Sequence, residues 1–288
     1  MQPIKRGTRI ISEPPLLAIP AREYSAAQIE SQFLSLSVAD QNAFLSLYSA
    51  HEENHGLAVN YNGLPVSKWA GLLLSTFQTN DFAIRKDDEY AAVFFKTSHI
   101  NHSCIPNASF AWNNTLERST VHAVNDIAAG EEITMCYCPP YHGREDRKMV
   151  QLCYGFECTC PACDPEAPGA EATEQRRLRM EELADILNGS ANLDGSYEEA
   201  DARSCLPAAI EMAELHVQEG LVNGLLVDVY TSIASMRRAL GTYTAARAAY
   251  REALLALLHA EGADSPRVKE TMDSLRAIKG LDDVVQEG

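Results

Sequence analysis

The residue types that do chemistry crowd into Asn101-His102-Ser103-Cys104-Ile105-Pro106-Asn107, a polar heptad set between two apolar runs. Burying two amides, an imidazole and a thiol there requires specific partners for each. A second group is Cys158-Thr159-Cys160-Pro161-Ala162-Cys163, three thiols within six residues. That spacing suits one tetrahedral metal ion at about 2.3 Å per bond, and a structural zinc site needs a fourth ligand. Cys138, His142 and Cys153 are the local candidates and Cys104 is the distant one, and spacing does not choose among them. The third group is Gly130-Glu131-Glu132-Ile133-Thr134-Met135-Cys136-Tyr137, which reads as a strand delivering a phenol hydroxyl. Every cysteine but Cys205 lies between Cys104 and Cys163. Such clustering fits a metal site in a reducing compartment better than a disulfide framework. Cys136, Cys138, Cys153 and Cys205 read as small hydrophobes in helices or strands.

Several elements must hold these groups in place. Residues 8–19 are β-branched and apolar with a Pro pair, the pattern of short strands broken by a turn. Ser25 with Gln28 forms a capping box, Ser37 precedes Asp40, and Ser67 precedes an apolar series at helical spacing, which predicts helices near 25–36, 38–50 and 67–78. Strands are predicted at 82–84, 91–95, 108–112, 119–124 and 132–136, and a helix at 144–154 leads into the cysteines. Asp164-Pro165-Glu166-Ala167-Pro168-Gly169 marks a boundary. Beyond it the period is 3.6, with helices predicted near 171–188, 198–218, 221–240, 243–261 and 265–278 and Gly220, Gly241 and Gly262 as stops. Within this block the run from Ala239 to Ala246, followed by Tyr250, Ala253 and Leu254, resembles a tetratricopeptide helix pair.

At 288 residues and 46% apolar content the chain has material for two globular parts. No apolar run approaches the ~18 to 20 residues of a membrane span, and the N-terminus has no secretory apolar stretch. A soluble protein of the cytoplasm or nucleus is therefore expected. The net charge is -16, with 12 basic and 18 acidic residues up to residue 165 and 12 and 22 thereafter. That balance argues against direct nucleic-acid binding, which needs clustered Lys and Arg, and favours a basic, lysine-bearing protein or peptide as partner.

Together the heptad, the Tyr137 strand and the cysteine triple resemble the catalytic heart of the SET-domain protein lysine methyltransferases. The resemblance implies an α+β fold of short strands with a helical insertion. It also implies S-adenosyl-L-methionine as methyl donor, a lysine amine (on a histone or another protein) as acceptor, and zinc in a post-SET tail. Residue by residue, Tyr137 matches the tyrosine whose hydroxyl aligns donor and acceptor, Asn101 and His102 match the pair that holds the cofactor, and Phe156 matches the aromatic on its adenine. Asn80, in Thr79-Asn80-Asp81-Phe82, resembles the family's asparagine near the cofactor, and Tyr141 is a candidate for the lysine channel. The cysteine of the Asn-His-x-Cys motif completes the zinc site in this family, which nominates Cys104 beside Cys158, Cys160 and Cys163. Methyl transfer asks a protein chiefly for orientation and for a neutral amine, although free lysine has a pKa of about 10.4.

The expected organisation is a SET domain over 1–150 with an insertion at about 20–78, a zinc-binding segment at 151–165, and a helical, TPR-like domain over 170–288. The nearest likeness is to SET- and MYND-type proteins, without the MYND finger, since no cysteine precedes Cys104. Two further departures stand out. His99 occupies a position where the family often has Arg. The family's Gly-x-Gly turn, which holds the cofactor's methionine end, does not precede the segment at Met1-Gln2-Pro3-Ile4-Lys5-Arg6-Gly7. That gap is expected to reflect an alternative start or a reduced module. The second option carries an alternative function, a catalytically impaired SET-fold scaffold for protein interaction. A monomer is expected in either case.

Overall fold

Serine side chains start the first three helices. The Ser25 hydroxyl accepts from the Gln28 amide while the Gln28 side chain accepts from the Ser25 amide, and the Ser37 and Ser67 hydroxyls accept from the Asp40 and Ala70 backbone amides. A computed structural model describes residues 2–21, 24–50, 67–84, 89–139, 141–192 and 195–286, the side chains of 279–286 excepted. Much of the expected insertion, residues 51–66, lies outside the described residues.

In chain order the elements begin with β1 (Arg9–Glu13), β2 (Leu17–Pro20), α1 (Ala26–Ser35), α2 (Val38–Leu45), α3 (Lys68–Asn80), β3 (Asp81–Ile84) and β4 (Tyr90–Val93). A 3-10 turn at Thr97–His99 leads to β5 (Asn101–His102), β6 (Ala108–Asn113), β7 (Arg118–Ala123), β8 (Thr134–Met135) and α4 (Arg144–Cys153). The helical part comprises α5 (Ala170–Leu187), α6 (Glu199–Gln218), α7 (Gly224–Ala239), α8 (Tyr243–Ala260) and α9 (Pro266–Gln286). The helix read over 38–50 stops at Leu45, because the Ser46 hydroxyl and amide both turn back to the Ala43 carbonyl.

Three small sheets form among the described residues: β1-β7-β6 and β2-β4-β3, both antiparallel, and β5 beside β8 in parallel register, with Asn101 opposite Thr134. The strand read over 132–136 is thus only two residues long. Phe82, Phe94, Phe110 and Trp112 pack between the first two sheets, with ring centroids 4.5 to 6.0 Å apart. On the other side of β2 and β4, Leu17, Ile19, Val93, Ile29, Phe33 and Phe77 bury α1 and α3. The helical part has its own core, rich in alanine, in which each helix packs on the next.

The two parts meet where α8 lies on β6 and β7. Arg9 of β1 pairs with Asp264 and donates to His122 Nε2 at 3.2 Å, and the Asn113 amide donates to the Asp264 carbonyl. Gly262 closes this corner at φ +85°, and a Cβ there would lie 2.6 Å from His122 Nε2. His122 is buried, its Nδ1 has no partner, and burial followed by the Arg9 charge pulls its pKa down to about 4. Gly262→Ala therefore combines left-handed strain with a clash against a side chain that has nowhere to go. It is expected to cost about 2–3 kcal/mol, read as a lower urea midpoint at unchanged m.

Candidate functional site

The heptad is assembled by its neighbours. The Glu13 carboxylate accepts from the Lys96 and Thr97 amides and from the Thr97 hydroxyl, at 2.7 to 3.0 Å, and so fixes the 3-10 turn that feeds Ile100 and Asn101. Asn107 closes the other end. Its side-chain amide donates to the Glu132 carbonyl at 2.8 Å and its Oδ1 accepts from the Thr134 amide at 2.9 Å. A side chain thereby takes the bonds that a longer β8 would have made.

Four cysteine sulfurs, those of Cys104, Cys158, Cys160 and Cys163, lie within 4.8 Å of one another, a set that can hold a metal ion. Cys104 is fully buried, with its sulfur 3.4 Å from that of Cys163. Neighbouring sulfurs on a tetrahedron of ~2.3 Å bonds are about 3.8 Å apart, so the cluster needs only small adjustments to fit. Cys104, hydrogen-bonded to both, holds the Cys158 thiol up and the Cys160 thiol down, which is how neighbouring thiols share protons when no cation balances their charge.

Two buried polar residues of α4 face the cluster. The Gln151 amide donates to Cys104 Sγ at 3.4 Å while its oxygen accepts from the Cys158 amide at 3.3 Å, and Arg147 reaches the Ala162 carbonyl at 2.8 Å and Cys163 Sγ at 3.9 Å. Of the other expected fourth ligands, Cys153 is exposed and bonds the Met149 carbonyl. Cys138 belongs to a second group with Cys136 and His102.

His102 joins the cluster to the Tyr137 strand. Its Nδ1 accepts the Tyr137 backbone N–H at 3.0 Å, so Nε2 carries the proton and donates to Cys104 Sγ at 3.2 Å. Burial pulls its pKa down to about 4, against the Cys160 charge and with the Arg147 charge, so the ring is neutral at ordinary pH. The Tyr137 hydroxyl donates to the Ile100 carbonyl. Burial, then the charges of Tyr154 and Glu132, push the phenol up to about 12.

These groups open onto a cleft of about 900 Å³ between the β-rich and helical parts, within the usual size of small-molecule sites. Asn80, Asn101, His102, Tyr137 and Phe156 all line it. Asn80 is the last residue of α3, two residues beyond the predicted end of that helix, and its amide donates to the Tyr48 and Thr76 carbonyls. The Asn101 amide donates to Glu132 at 2.6 Å. Tyr137 stands 5.2 Å from the His102 and Tyr154 rings and edge-on to Phe156 at 6.2 Å. Gly155, at φ +74°, makes the turn between Tyr154 and Phe156, both of which line the cleft.

Tyr141, expected in the channel, packs instead with Met180 and Leu183 of α5. Tyr154 lines the cleft instead, unread because a Tyr two residues before a Phe at a helix end looks like ordinary apolar contact.

Arg177 of α5 is fully buried. Its Nε bonds the Glu219 carboxylate at 3.1 Å and its Nη2 the Cys104 carbonyl at 3.0 Å, so a helix of the C-terminal part holds the heptad directly. Arg177→Met strips one of two arginines from Glu219, which is 2% exposed in its side chain and keeps Arg176 at 2.6 Å, and it also frees the Cys104 carbonyl; it is expected to cost about 3 kcal/mol. A drop in Tm of about 6 °C or more checks it.

This β-rich part is a SET domain: residues 1–138 match the family model of that description. The chain is a SET-domain protein related to the set5 and SMYD proteins. It is 29% identical over 201 residues to the Histone-lysine N-methyltransferase set5 of Schizosaccharomyces pombe, covering 69% of this chain and 53% of that one. It is 26% identical over 209 residues to the human N-lysine methyltransferase SMYD2, covering 69% and 45%. Over 99 residues it is 38% identical to the Protein-lysine N-trimethyltransferase SMYD5 of Gallus gallus, covering 32% and 23%. The chain thus spans about half the length of the first two relatives. No helix among the described residues is long and apolar enough to cross a membrane.

Proposed function

We propose that this chain is a protein-lysine N-methyltransferase that takes its methyl group from S-adenosylmethionine. The observation that carries the reading is the meeting of Asn101, His102, Tyr137 and Phe156 on one cleft, beside a four-cysteine cluster. Bound there, S-adenosylmethionine would supply an electrophilic methyl on a sulfonium. The aromatic faces of Phe156 and Tyr137 suit a flat adenine and a cation, and the absence of Lys and Arg from the described lining suits the sulfonium.

In this reading Phe156 packs on the purine and the Asn101 backbone and amide orient the amino-acid end. His102 works from behind, with both ring nitrogens committed to Tyr137 and Cys104. The Tyr137 hydroxyl gives its proton to Ile100, which leaves its lone pairs to accept from the lysine amine and aim the nitrogen at the methyl. Zinc is the metal that four thiolates with no other donor would select, and Cys104, Cys158, Cys160 and Cys163 would hold it. Its role is structural: it fixes Cys104, hence the heptad, and the tail that carries Phe156.

The domains we infer are a SET domain over 1–150, a zinc segment over 151–165 and a TPR-like helical domain over 170–288. A nuclear setting and a histone substrate are our reading by likeness to set5, a histone-lysine N-methyltransferase. The test is transfer of a labelled methyl to a panel of histones and lysine-rich proteins, run beside calorimetric titration of S-adenosylmethionine. Labelled lysine with micromolar cofactor binding supports the reading. A folded, zinc-loaded chain that binds no cofactor overturns it.

A further inference from the structure

The cleft holds an acid that neither the fold nor the methyl chemistry accounts for. Among the described residues lining it, the charged side chains are Asp81 and Asp228. Asp228 is ion-paired to Arg267. Asp81, at the junction of α3 and β3, has no ion pair and no side-chain hydrogen bond to another side chain among the described residues. Its carboxylate acts on the Tyr154 phenol: after burial, the Asp81 charge is the largest influence pushing that hydroxyl up. Tyr154 in turn stands 5.2 Å from Tyr137. Asp81, Tyr154 and Tyr137 therefore line one cleft, with Asp81 close enough to Tyr154 for its charge to act on that phenol.

A half-buried carboxylate that is held, among the described residues, by its own backbone amide and no cation costs folding free energy, and burial has pushed this one up to about 6 against that hydrogen bond. At neutral pH it is nonetheless largely ionised, so among the described residues the cleft presents one negative charge without an ion pair, on a lining that also carries Tyr48, Tyr137 and Tyr154. The ligand that fits is a primary ammonium on an apolar stem, because the stem packs on the rings while the head meets the carboxylate.

We propose that Asp81 is the residue that captures the ammonium of the substrate lysine at the mouth of the Tyr137 corner, ahead of methyl transfer. This rests on the methyltransferase reading for the identity of the ligand. The role is one of binding. A carboxylate stabilises the charged amine, so Asp81 improves capture without assisting the deprotonation that must follow.

Asp81→Asn keeps the shape and removes the charge. In the cofactor-loaded enzyme it is expected to raise KM for a lysine peptide about tenfold with kcat unchanged or slightly higher, while S-adenosylmethionine affinity stays within twofold. Asp81→Glu should restore part of the KM. Stability separates this from a structural role. The folded state binds this proton between about pH 4 and pH 6 where the unfolded chain does not, so the native fold loses stability as pH rises through that window. Asp81→Asn should therefore raise Tm by about 2–5 °C at pH 8 and leave it unchanged at pH 4.

A readout independent of turnover is saturation-transfer NMR with n-butylammonium against n-butanol. Wild type should bind the ammonium in preference and Asp81→Asn should lose the preference. If wild type shows no preference, or if Asp81→Asn lowers Tm and leaves KM alone, the proposal fails. A wild type that binds n-butylammonium through Asp81 yet methylates nothing would leave Asp81 as an ammonium site and remove the methyltransferase reading instead.

Discussion

Tyr137→Phe is expected to lower methyl transfer about 10²–10³-fold while S-adenosylmethionine affinity stays within about twofold and Tm within a few degrees. The expectation follows from where the hydroxyl points. Its proton goes to the Ile100 carbonyl, one residue before Asn101, so the phenol oxygen is fixed against the strand that lines the cleft. With a pKa near 12 it stays neutral and cannot act as the base that removes the lysine proton. On the proposed reading what it offers is position: a lone pair for the amine nitrogen, held by a backbone anchored through His102. Phenylalanine keeps the ring contacts to His102, Tyr154 and Phe156, so cofactor packing should survive. The cost to the fold is one hydrogen bond of about 1 kcal/mol. Single-turnover rates against calorimetric affinity check the split. A parallel loss of cofactor affinity would show that the hydroxyl packs the cofactor and does not align the amine.

The parts of this molecule governed by local periodicity were legible in the sequence. Four of the five C-terminal helices run close to their predicted spans, because amphipathic spacing, small residues and glycine stops all act over a few residues, whereas the last, predicted to end at 278, runs on to Gln286. The heptad and the cysteine triple were legible for a different reason: their residue types admit few partners. Long polar side chains that tertiary packing buries were not. Arg147, Gln151 and Arg177 sit on helices where such residues normally face water, yet all three are buried against the heptad or the cysteines. Asp81 carried no signal of its own in front of its strand, and it shares the cleft with Tyr154, 73 positions away in the chain. The short β8 was missed because Asn107 does with its side chain what strand pairing would do. Sequence pattern reports what neighbours in the chain require, and this site is made largely by residues distant in it.

Cys104→Ser should test that long-range construction most severely. The variant is expected to drop zinc from one per chain to well below one, lower Tm by more than about 10 °C, and weaken S-adenosylmethionine binding at least tenfold, all together. The sulfur is buried and meets three groups at once: the cysteine cluster, the Gln151 amide and the proton on His102 Nε2. A serine oxygen is shorter, harder and a poor zinc ligand, so the metal loses a quarter of its shell. Without the metal the tail from Cys158 to Cys163 is no longer tied to the heptad, and Phe156, two residues before Cys158, loses its fixed place on the cleft. The serine oxygen still accepts from His102 Nε2, but from farther back on its shorter bond, so the ring that supports the Tyr137 backbone is held less firmly. Cys153→Ser, at an exposed thiol outside the cluster, is the control and should change none of the three. Removing metal from the wild type with a thiol-reactive mercurial and a chelator should reproduce the Cys104→Ser phenotype, and restored zinc should reverse it. Zinc content that falls while cofactor affinity holds would mean that the metal staples the fold without positioning the cleft, and His102 would then owe its orientation to Tyr137 alone.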